Sequence, residues 1–127
     1  MSGTDTGDAF DESEIRAAER ALESALASTD RTAWVFEYTE DAVFDSGAHI
    51  VQGREALLEM ARNMNPLSSV SIRPLRTEGR ADLAAVWCEA SWVSGPPETG
   101  TRVDVRGMIL WRKEPDGRWR VAIEHIG

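Results

Sequence analysis

Cysteine is nearly absent from this chain. Cys88 is the single one, which excludes an internal disulfide framework and any Cys-rich zinc site. The two histidines, His49 and His125, are too few and too far apart in sequence to argue for a metal, so no metal and no cofactor are expected. Basic charge is also scarce: 14 Lys+Arg stand against 22 Asp+Glu, a formal charge of −8. That balance argues against nucleic acid and anionic membrane as partners, because both demand basic patches. No uncharged apolar run approaches the ~20 residues of a spanning helix, the best being Leu83 to Cys88. Met1 to Phe10 lack the basic and apolar regions of a secretory signal, so a cytoplasmic location is expected. A glycine-rich phosphate loop, a serine nucleophile elbow and an HExxH pair are missing as well.

What is present suits one soluble globular domain. With 127 residues, 42% hydrophobic and 28% charged, the chain can bury a core of its own and is too apolar for intrinsic disorder. Residues 1–11 are rich in Gly, Ser, Thr and Asp and read as a disordered tail, leaving 12–127 as the domain. Ile15, Ala18, Leu22, Ala25 and Leu26 recur at helical spacing, behind the acids Asp11 and Glu12, which suit a helix N-terminus. Asp30 reads as the N-cap of a second helix, Arg31 to Tyr38. Ala42–Asp45 and His49–Val51 flank Ser46-Gly47-Ala48 as a strand–turn–strand, and Gly53 to Arg62 returns to helical spacing until Pro66.

Four strands follow, near Val70–Thr77, Leu83–Ser94, Arg102–Lys113 and Trp119–Ile126, the last two joined by the turn residues Asp116-Gly117. Helices followed by a run of strands mean α+β. The strands exceed the usual ~5–6 residues, as a sheet curling around helices would require. Alternation places Ala84, Val86, Cys88, Ala90 and Trp92 on one face, with Val103, Val105, Gly107, Ile109 and Trp111. The opposite set carries the charges, so the first set is expected inside. The last strand is ambiguous: hydropathy turns Val121 and Ile123 inward, whereas the alternative turns Ala122, Glu124 and Ile126 inward.

Three segments in order, Phe36-Glu37-Tyr38-Thr39-Glu40-Asp41-Ala42-Val43-Phe44, Gly53-Arg54-Glu55-Ala56-Leu57 and Asp116-Gly117-Arg118-Trp119-Arg120-Val121, resemble the SnoaL-like and ketosteroid-isomerase-like branch of the nuclear-transport-factor-2-like superfamily. The resemblance implies a cone-shaped, curved antiparallel sheet wrapped around three helices, with a pocket at its open end. It also implies a homodimer through the outer sheet face, where Trp87 is a candidate contact. Aligned with ketosteroid isomerases, the base falls at Asp45 or Ser46, and the last strand turns Glu124 inward. The two oxyanion donors fall on Leu22 and Gly107, which cannot donate, so steroid isomerisation itself is not expected.

The expected activity is cofactor-independent proton transfer (cyclisation, isomerisation or dehydration) on an apolar oxygenated molecule such as a polyketide-type intermediate. The alternative is a non-catalytic binding or dimerisation module. Asp45 is the candidate base and His49, across the turn, its partner. Tyr38 is a phenol able to donate to a carbonyl or to Asp45, and Glu124 is a carboxyl whose pKa an apolar cone would raise. Trp34, Met60, Val86, Trp92, Val105 and Ile126 are the expected substrate-binding wall, and Cys88 reads as an inert buried thiol.

Overall fold

The computed structural model describes residues 10–127. Of the segment expected to be disordered, residues 1–9 lie outside the described residues. Phe10 packs against the core and lies over Gly79, and Asp11 caps the first helix. That helix, α1, spans Glu12–Leu26, and the Asp11 carboxylate accepts the Ser13 N–H at 2.9 Å. This satisfies one of the donors a helix start leaves free. Its apolar stripe buries Ile15 and Leu22 completely or nearly so.

The second helix departs from expectation. A 3₁₀ helix, Ala33–Glu37, replaces the α-helix read over Arg31–Tyr38, and its N-cap is Thr32. Asp30 serves the turn before it, accepting from the Thr32 amide at 2.9 Å and its hydroxyl at 2.8 Å. Tyr38 leaves the helix because its backbone pairs with Val121, which leaves a segment short enough for i→i+3 bonding. The described chain therefore has two α-helices. The other, α2, spans Arg54–Asn63 behind Gly53, whose φ of 90° is a turn conformation that favours glycine.

The strands are β1 (Tyr38–Asp45), β2 (Ile50–Gln52), β3 (Leu67–Arg80), β4 (Leu83–Ser94), β5 (Thr101–Lys113) and β6 (Trp119–Ile126). They form one curved sheet in the order β2-β1-β6-β5-β4-β3. Every neighbouring pair is antiparallel except β1–β6, which is parallel and corrects the all-antiparallel expectation. The chain between them, α2 and four strands' worth of residues, is long enough for the crossover a parallel pair needs.

The inward alternation on β4 and β5 is as expected. Val86 pairs with Ile109 and Ala84 with Trp111, all four at most 3% exposed. With Val35 and Val121 they belong to one buried core cluster. On the outer face Trp87, Leu83 and Ile123 remain about 40% exposed. The register aligns Trp87 with Met108, and Leu110 with Ile123, on the surface expected to meet a second copy. Among the described residues no helix is long and apolar enough to cross a membrane.

Candidate functional site

The ambiguity on β6 has a structural resolution. Leu110 pairs with Ile123 but Trp111 pairs with Val121, so one residue of β6, Ala122, is extra at that point. Such a bulge shifts the alternation by one position. Before it, Val121 is fully buried on the inner face; after it, Ile123 turns out and Glu124 turns in. Both sequence readings were half right, each on its own side of the bulge.

Glu124 pairs with Ile109 on one side and Phe44 on the other. There the sheet and helices part to leave a cavity of about 260 Å³. Leu22 and Leu26 of α1, Trp34 of the 3₁₀ helix, and Met60 with Met64 at the end of α2 cover it. Ile72, Cys88, Ala90, Trp92, Ile109 and Ile126 form its sheet wall. Larger hollows, of about 480 and 730 Å³, lie between charged side chains such as Arg73 and Glu89 or Arg54 and Arg118. The smaller cavity has the apolar lining with few polar groups that small-molecule sites show.

Two of those polar groups meet. The Tyr38 hydroxyl donates a hydrogen bond to Glu124 Oε1, while Glu124 Oε2 has no hydrogen-bond partner among the described residues. Burial raises the Glu124 pKa above the ordinary carboxylate range, and the bond from Tyr38 offsets part of that rise. The Tyr38 hydroxyl is held well above its ordinary value by burial and then by the charge and acceptance of Glu124, so it stays a protonated donor. Trp34 packs edge-on against the Tyr38 ring at 5.2 Å and fixes its plane. Cys88 shares the wall, its thiol pushed up to about 11 by burial and by Glu124 and Glu19. It is a thiol rather than a nucleophilic thiolate at neutral pH.

Of the residues expected at the site, Tyr38, Glu124, Trp34, Met60, Trp92 and Ile126 line this cavity. Val86 lies in the core beneath it, and Val105, the register partner of Ala90, lines a separate hollow with Arg73 and Glu89 rather than this cavity. Asp45 and Ser46 do not line it. The Asp45 carboxylate accepts the Gly47 amide at 2.8 Å and faces His125 Nδ1 at 3.2 Å. The Gly47 bond, with a smaller contribution from His125, lowers its pKa, which makes it a weaker base than Glu124. The structure thus pairs Asp45 with His125 rather than with His49, which is exposed. Tyr38 donates to Glu124, not to Asp45. Phe44, Ile72 and Ile109 join the lining; the inward alternation of their strands was the signal available for them.

Residues 18–122 match the family model of the SnoaL-like domain. No curated protein is significantly similar to the chain in sequence. Among solved structures, a protein of unknown function from Mycobacterium tuberculosis superposes with a TM-score of 0.75 at 21% identity, over 91% of this chain and 70% of that one. A nuclear-transport-factor-2-like protein with a cystatin-like fold from Novosphingobium aromaticivorans gives 0.75 at 18%, over 91% and 80%. A ketosteroid isomerase-like protein from Erwinia carotovora atroseptica gives 0.71 at 22%, over 92% and 96%. At these identities the likenesses establish the fold.

Proposed function

The chain belongs to the SnoaL-like family, and from that premise we propose that it catalyses proton transfer on an apolar small molecule held in the cavity, with Glu124 as the base. The observation that carries this reading is the Tyr38–Glu124 pair set into an otherwise apolar wall. The Glu124 carboxylate takes a proton from carbon beside a carbonyl-type group. The C–H electron pair moves into the new double bond, and the displaced π pair goes to the heteroatom, to which Tyr38 can donate once Glu124, now protonated, releases its hydrogen bond. Glu124 then returns the proton at a second carbon, or the nucleophilic carbon closes a ring. Each step needs only these two side chains and no cofactor. The oxygenated polyketide-type intermediate expected from sequence is one substrate of this kind.

In this reading Asp45 and His49 take no part, since neither lines the cavity. A raised pKa improves the carboxylate as a base near neutral pH. The ionised form is the active one, so kcat/KM is expected to rise with pH along a limb whose midpoint lies above the ~4.3 of an ordinary glutamate. The test is deuterium incorporation from heavy water into a panel of apolar enolisable ketones, followed by NMR across pH. Exchange without such a limb removes Glu124 from the base role. The second reading, a binder without chemistry, is favoured by the thin polar inventory of the lining; it predicts ligands that raise the melting temperature yet never exchange a proton.

A further inference from the structure

The lining has a charge character that narrows the substrate. Glu124 is its one acid among the described residues, and no Arg, Lys or His lies on it. The nearest histidine in sequence, His125, is half-exposed and faces Asp45 outside the cavity. Among the described residues Glu124 Oε2 has no hydrogen-bond partner, and Trp34, Tyr38, Phe44 and Trp92 line the same cavity. A carboxylate in an apolar cavity lacks the cation that would offset its desolvation. Aromatic faces favour a positive charge in the same place. The whole chain, at −8, also draws cations and repels anions.

We propose that the substrate of this cavity carries its carbonyl-type group as a cationic C=N, an iminium or protonated imine on an apolar body. This deepens the proton-transfer reading and rests on it. With a neutral ketone, moving the proton to Glu124 only shifts a negative charge from one oxygen to another, and the enolate then has the single hydroxyl of Tyr38 to stabilise it. With an iminium, the same step annihilates two charges. Glu124 becomes neutral as it takes the α-proton, the C–H pair forms the carbon–carbon double bond, and the C=N π pair returns to nitrogen as a neutral enamine. A low-dielectric cavity favours that direction, because opposite charges become two neutral groups. Reprotonation at carbon restores the pair.

The test compares three probes of similar shape: an N-methylated dihydroisoquinolinium bearing a methyl group on the iminium carbon, a methyl tetralone, and naphthoate. Binding is read from tryptophan fluorescence, and exchange by NMR in heavy water. The expected result is that the iminium binds at least about tenfold more tightly than the tetralone, naphthoate binds least, and the iminium methyl exchanges faster over its uncatalysed rate than the tetralone α-position. Glu124→Gln should erase the preference while leaving tetralone affinity within about twofold, which separates loss of charge from loss of fold. Tetralone bound or exchanged as well as the iminium, or a preference that survives Glu124→Gln, would overturn the proposal while leaving proton transfer standing. A Glu124-dependent iminium preference with no exchange of either probe would instead overturn the catalytic reading and keep the charge selectivity.

Discussion

Glu124→Gln is expected to lower turnover by about 10²–10⁴-fold, the usual worth of a positioned general base. The substitution is close to isosteric, and its amide oxygen can still accept the hydrogen bond from Tyr38. What it loses is the ability to take a proton. Stability should not fall with it. The folded-state pKa of Glu124 is raised by burial, so its ionised form is penalised in the fold, and stability is lost as pH rises from the unfolded pKa through the folded one. Glutamine removes that penalty, and the melting temperature at neutral pH should equal or exceed that of the parent. Asp45→Asn, made in parallel, should leave turnover unchanged because its carboxylate is committed to Gly47 and His125 outside the cavity. Turnover kept by the Glu124 variant and lost by the Asp45 variant would exchange the two assignments.

The second large effect concerns Gly107. A Cβ there would collide with the His125 backbone oxygen and stand 3.0 Å from Ile126 Cγ2. The nearer obstacle is backbone, so β5 and β6 must separate rather than a side chain swing aside. Gly107→Ala is expected to cost about 1–3 kcal/mol, the range for overpacking a tight site, measured by urea unfolding. It should also reduce activity at temperatures where the protein stays folded, because Glu124 lies on the strand that has to move, two residues from Ile126. The same contact has a functional corollary. Gly107 is where the resemblance to ketosteroid isomerases implies an oxyanion acid, and no side chain fits there without displacing β6. An alanine variant as stable as the parent would show that the two strands do not approach this closely.

Much of the fold was legible because it is written in local pattern. Alternation along β4 and β5 placed Cys88, Ala90, Trp92 and Ile109 on the inner face, and Asp116-Gly117 marked the β5–β6 turn, where Gly117 has a φ of 85°. Features fixed by distant partners were not. The parallel register of Asp45 with His125 joins residues 80 positions apart, so spacing pointed instead to His49, four residues on. Tyr38 read as the end of a helix because nothing nearby announces its pairing with Val121. The bulge at Ala122 was invisible for the same reason: a single extra residue in β6 is defined only against the partner strand. Yet that residue decides whether Glu124 or His125 faces the cavity, and so whether the site exists.

In the proposed reaction a buried, Tyr38-bonded carboxyl at position 124 is the reactive group of the cavity. Carbon-detected NMR titration of glutamate carboxyls, with the Glu124 resonance assigned by its loss in Glu124→Gln, tests this most directly. The expected midpoint lies above the ordinary ~4.3 and moves higher still in Tyr38→Phe, because the lost hydrogen bond had favoured the ionised form. A Glu124 carboxyl that titrates in the ordinary range and does not respond to Tyr38→Phe would contradict it.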